Sequence, residues 1–147
     1  MSGIVVAGLG NRLRQDDGVG PVVLDRLATI DLPDAVSLLW LEHDPRALSL
    51  LDPELRSVII VDAVVADIGP GSIISLPLLE FEHPAPLNLH QLSPLELLPD
   101  KLLSRAEVLG IVPYSLAYGV ELSPVVAQAA QRAVDYLRHW IWEACHL

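Results

Sequence analysis

The residues most able to do chemistry begin with an adjacent pair of carboxylates. Asp16-Asp17 closes the run Gly8-Leu9-Gly10-Asn11-Arg12-Leu13-Arg14-Gln15 and is followed by Gly18-Val19-Gly20. One aspartate before a helix is explained by capping: it accepts from orphan N–H groups and opposes the helix dipole. A single helix has no use for two such caps. One of the pair is therefore expected to cap, and the other to point toward the edge of a sheet. Asp62 directly follows Val58-Ile59-Ile60-Val61. An aspartate there can cap a turn, but ionised beside four aliphatics it needs a cation or donors.

Five histidines must be sorted. His139 and His146 fall on the last helix and tail and read as surface residues. His83 lies in a polar loop, and His43 follows the second strand as a possible neighbour of a site. His90, in Asn88-Leu89-His90-Gln91-Leu92, stands just before a helix start and is the best imidazole candidate. Asp17, Asp62 and His90 then make a mixed oxygen and nitrogen set. Such a set suits a borderline divalent metal such as nickel or zinc, with positions left open for water or substrate. It could equally serve general acid–base chemistry without metal. Spacing alone leaves both open. The glycines do not make a nucleotide site: position 13 is Leu13 where a dinucleotide fingerprint needs glycine, and no Gly-Lys-Ser/Thr follows.

These residues need elements to hold them. Ile4-Val5-Val6-Ala7 reads as a buried strand, apolar on both faces. Val19, Val22, Val23, Leu27 and Ile30 recur at helical spacing and predict a first helix to about Ala28. Ala35 to Leu41 is a second strand, followed by a short helical piece from Pro45 to Leu51. Val58 to Val61 is the clearest buried strand. Ser72 to Leu76 is another, and its connection to the preceding strand is too short for a helix, which points to an antiparallel strand. Ser93-Pro94-Leu95-Glu96 has the form of a capped helix start, predicting a helix to about Ala106. Val108 to Val112 is the last strand. Ser123-Pro124 opens a final helix with inner stripe Val126, Ala130, Ala133, Val134, Leu137 and Ile141.

The expected fold is α/β: a three-layer α/β/α domain over residues 1–147, with a mostly parallel, roughly five-stranded sheet. Sites in such sheets form outside the carboxyl ends of the strands, where Asp16, Asp17, Asp62 and His90 fall.

Composition narrows the partners. Nine basic against 19 acidic residues give a net charge of −10, which argues against nucleic acid and anionic membranes as general partners. Hydrophobic residues at 52% supply a core without disulfides. The one cysteine, Cys145, allows neither an intrachain disulfide nor a Cys-rich zinc site, which suits a reducing cytoplasm. The segment Met1-Ser2-Gly3 has no basic signal-peptide region, and no run approaches the ~18 apolar residues of a membrane span.

Gly8-Leu9-Gly10-Asn11 with Asp16-Asp17-Gly18-Val19-Gly20 resembles the N-terminal signature of the hydrogenase maturation endopeptidases. The likeness continues at Ile59-Ile60-Val61-Asp62-Ala63, His90-Gln91-Leu92, Gly110-Ile111-Val112-Pro113 and Leu122-Ser123-Pro124, nearly the whole chain in order. The resemblance implies a protease that trims the C-terminal tail of a nickel–iron hydrogenase large-subunit precursor. It implies that Asp17, Asp62 and His90 meet the metal, and that Asp16 orients or caps. It also implies no permanent cofactor: the nickel is read in the precursor, so cleavage certifies its insertion. One segment departs from the family. Glu42-His43-Asp44-Pro45-Arg46 stands where many relatives carry a Gly- and Thr-containing loop, which offers His43 as an accessory contact and bears on which large subunit is processed. A chain that kept the ligands but lost turnover, a nickel- or precursor-binding chaperone, is the alternative.

Overall fold

The computed structural model describes residues 3–42, 44–80 and 94–146. Among them, five strands form one sheet: β1 (Ile4–Leu9), β2 (Val36–Glu42), β3 (Ser57–Ala63), β4 (Ile73–Pro77) and β5 (Ala106–Ile111), in the order β2-β1-β3-β5-β4. β1 pairs in parallel with both β2 and β3, and β3 pairs in parallel with β5. β4 runs antiparallel to β5, so the orientation expected from its short incoming connection holds. Its neighbour, however, is β5 rather than the strand that precedes it.

The helices are α1 (Val19–Leu27), α2 (Pro94–Leu97), α3 (Asp100–Leu103) and α4 (Pro124–Cys145). Strand alternation sorts the aliphatics onto two faces. Val6, Ile59, Val61, Leu109 and Ile111 pack against Val23, Leu24 and Leu27 of α1 and against the α4 stripe. That stripe is the expected one, with Ala129 added. Val5, Ala7, Val58, Ile60 and Val108 pack on the opposite face against Leu48, Leu98 and Leu102. Among the described residues, that layer is built of short helical pieces, α2, α3 and the 3₁₀ turns Pro45–Leu50 and Leu78–Glu80.

Two local expectations differ from the outcome. The helix predicted from Ser93 to about Ala106 is instead α2 and α3, separated at Pro99, which sits at φ −53°, ψ 142°. Proline has no N–H for the ladder and drives the residue before it out of the helical region. β5 therefore starts at Ala106, two residues earlier than expected. The piece after β2 is a 3₁₀ turn, Pro45–Leu50, whose first N–H group, that of Arg46, is taken by the Asp44 carboxylate at 3.1 Å.

The chain leaves β1 toward β2, then returns to place β3 on the other side of β1. This reversal opens a crevice at the carboxyl ends of β1 and β3. Gly20 brings the start of α1 down onto it: a Cβ there would strike the carbonyl oxygens of Leu9 and Val61.

Candidate active site

The crevice receives the loop after β1 and the end of β3. Gly10 turns the chain out of β1 at φ +136°, where a side chain would also strike the Asp17 carbonyl. Its N–H donates to the Glu42 carbonyl at 2.6 Å, tying the ends of β1 and β2 together. Asn11 folds the next residues by accepting the Leu13 N–H at 2.9 Å. A 3₁₀ turn, Gln15–Gly18, then carries both aspartates inward.

Asp16 and Asp17 are both buried, at 0% and 2% exposure. Neither caps a helix. The cap positions of the 3₁₀ turn and of α1 are Arg14 and Gly18, without side-chain cap bonds. The capping expectation therefore fails, because both carboxylates find donors elsewhere. Asp17 accepts the Asn11 N–H at 2.9 Å, closing the loop on itself. Asp16 reaches across the molecule to the segment between β5 and α4. It accepts the N–H groups of Tyr114 at 2.8 Å, Ser115 at 2.9 Å and Ser123 at 2.7 Å, together with the Ser123 hydroxyl. Ser123 stands at the cap position of α4 yet spends its hydroxyl on Asp16.

Asp62 lies within β3, one residue before its end, opposite Gly110 of β5. Desolvation first, and the nearby charge of Asp17 second, push its carboxyl well above the usual carboxylate range; the Ala63 N–H, donating at 2.8 Å, pulls the other way. Asp17 and Asp62 thus lie close enough to interact electrostatically.

His90 and His43 lie outside the described residues. Among the described residues, no group of three His, Cys, Asp or Glu side chains is arranged to hold a metal ion. His139 and His146 are exposed on and after α4, as expected, the first 3.3 Å from Glu143 and the second stacked on Trp142. Cys145 ends α4, at the far end of that helix from Ser123.

Sequence reasoning missed two supports of the site. Arg12 grips Asp25 of α1 through two bonds of 2.6 and 3.0 Å and Glu42 of β2 through a third of 3.1 Å. These carboxylates hold its guanidinium above its already high pKa. The donors to Asp16 were missed as well, although Ser123 was visible as a helix start.

No family model matches the chain. It is 31% identical over 153 residues to the hydrogenase expression/formation protein HupD of Rhodobacter capsulatus, covering 93% of this chain and 72% of that protein. It is 36% identical over 76 residues to a putative hydrogenase maturation protease of Methanocaldococcus jannaschii, a match that spans 48% of this chain and 47% of that relative. The fold matches the hydrogenase maturating endopeptidase HybD from E. coli with a TM-score of 0.77 at 24% identity, covering 97% of this chain and 93% of that one.

Proposed function

The chain belongs to the hydrogenase maturation proteases, and from that premise we propose that it is the endopeptidase that removes the C-terminal extension of a nickel–iron hydrogenase large-subunit precursor once nickel is in place. The observation that carries this reading is the pairing of Asp17 with Asp62 at the carboxyl edge of β1 and β3. Two carboxylates in a desolvated crevice repel one another, and a divalent cation relieves that repulsion while each keeps its charge.

In this reading the cation arrives with the substrate. Asp17, Asp62 and His90 meet the precursor's nickel, the metal polarises the scissile carbonyl, and Asp17 or Asp62 takes a proton from the attacking water. No resident cofactor is required, so the reaction runs only on a loaded precursor. Asp16 and His43 act as accessories. The acidic surface elsewhere keeps an apolar chain dissolved. Among the described residues no helix is long and apolar enough to cross a membrane, and the lone cysteine fits a cytoplasmic site of action.

The test is to incubate the purified chain with nickel-loaded and nickel-free precursor and to weigh the large subunit by mass spectrometry. Shortening of the loaded form alone is expected. Tight binding of the loaded form with its tail intact would instead identify a maturation chaperone.

A further inference from the structure

Two loops meet at the crevice. Residues 10–15 follow β1, and residues 113–123 join β5 to α4. They are joined backbone to backbone. The Gln15 N–H donates to the Gly119 carbonyl at 2.9 Å, the Gly119 N–H to the Leu13 carbonyl at 2.9 Å, and the Asp16 N–H to the Ser115 carbonyl at 3.1 Å. Arg14 adds a bond of 3.2 Å to the Leu116 carbonyl and lies over the Tyr118 ring at 5.2 Å. Beneath this seam, the buried Asp16 carboxylate gathers the N–H groups of Tyr114, Ser115 and Ser123. The two loops therefore behave as one rim.

That rim gathers several exposed large apolar side chains. Leu13, Tyr114, Tyr118 and Val120 are 61%, 71%, 82% and 74% accessible. Residues 10–15 and 113–123 contain two arginines and a single acid, Glu121, in a chain with 19 acids. Arg12 is held by Asp25 and Glu42, whereas Arg14 meets a carbonyl and a ring. An exposed apolar group with one acid among its own residues, on a strongly acidic protein, fits an apolar segment of another chain. It lies beside Asp17, where the segment carrying the scissile bond has to arrive.

We propose that Asp16 is a positioning residue that clamps these two loops into a binding rim, and that the rim grips an apolar segment of the hydrogenase precursor next to the cleavage point. This rests on the endopeptidase reading above and goes beyond it by assigning the surface that confers substrate affinity. An asparagine cannot replace Asp16 there, because its two oxygens both accept and an amide nitrogen would face a donor. Removing only the Ser123 hydroxyl leaves the backbone donors engaged, so that change should be mild.

The experiment compares Asp16→Ala, Asp16→Asn, Ser123→Ala and the double variant Tyr118→Ala/Val120→Ala in steady-state processing of loaded precursor. Precursor affinity is measured in parallel by biolayer interferometry. Tyr118→Ala/Val120→Ala removes the Arg14 ring contact but leaves the Asp16 clamp and the backbone seam intact, and should raise KM about tenfold or more, with kcat within about twofold. The Asp16 variants should raise KM in the order Ala, Asn, with Ser123→Ala least affected. An unchanged KM in the Tyr118/Val120 variant overturns the rim. A fall in kcat with KM constant in the Asp16 variants overturns the positioning role. If the unaltered chain binds the precursor without cutting it, the endopeptidase reading fails by itself, and the affinities of the same four variants still decide for or against the rim.

Discussion

Asp16 and Asp62 are the same residue type at the same crevice, and their surroundings are opposite. Asp16 is buried among donors, three backbone N–H groups and a hydroxyl, drawn from a segment about a hundred residues away. Asp62 has the N–H of its own neighbour Ala63 and the like charge of Asp17 close by. A carboxylate surrounded by donors is a structural fastener, because its charge is already compensated. One left beside another carboxylate stores unfavourable energy that only a proton or a cation releases. The contrast separates a carboxylate whose charge is compensated from one whose charge is not.

The largest effect should come from removing the fastener. Asp16→Ala orphans three partly buried N–H groups, and allowing for partial access by water this should cost about 3 kcal/mol of stability. For a chain of this size that corresponds to a fall in Tm of roughly 6–12 °C by calorimetry. A loss below about 0.5 kcal/mol would mean that the 113–123 loop is held by other contacts, since that is the ordinary range for surface changes.

Next in size is catalysis. Asp62→Ala or His90→Ala should lower processing of loaded precursor by more than about 100-fold, or some 2.7 kcal/mol of barrier, with circular dichroism unchanged. Full activity in both variants would remove the metal assignment.

A smaller effect runs in the opposite direction. Asp62→Asn should raise the unfolding midpoint of the metal-free chain at neutral pH, because the variant lacks a destabilised charge. The sign follows from linkage. The folded-state pKa of Asp62 lies above its unfolded value, so the folded chain binds the proton more tightly and stability is lost as pH rises through the folded pKa. The advantage of Asn over Asp should therefore be full above that pKa and disappear below the ordinary carboxylate range. Urea titrations at a series of pH values check it, and an Asn variant less stable at neutral pH would contradict the picture of a frustrated carboxylate.

The smallest effect is expected at Arg12. Its partners are well placed but its side chain and that of Asp25 are 37% and 47% exposed, so Arg12→Ala should cost about 1 kcal/mol or less.

Much of the fold was legible because its signals are local. Val58 to Val61 is too apolar and β-branched to lie anywhere but inside a sheet, and the α4 stripe repeats at helical spacing over its whole length. Pro99 stands in the sequence as a helix breaker, but the reading of one continuous helix from Ser93-Pro94 did not take it into account. Asp16, Asp17 and Asp62 were legible as residues of the crevice, but not the partners each of them meets there. Asp16 and Asp17 are equivalent in sequence, and the expectation that one of them caps was wrong for both.

The amino-acid sequence by itself determined which residues could carry charge to the crevice, and the strand and helix order that puts a crevice there. Hydrophobic periodicity and chain connectivity act over a few residues at a time, so a linear reading contains them. Only the tertiary structure decided that Asp16 meets four donors and that Asp62 lies near the charge of Asp17. Those roles depend on donors supplied by Tyr114, Ser115 and Ser123, brought to Asp16 by the packing of β5 and α4 against the rest of the sheet. A carboxylate's function is set by what surrounds it, and those surroundings exist only once distant segments have met.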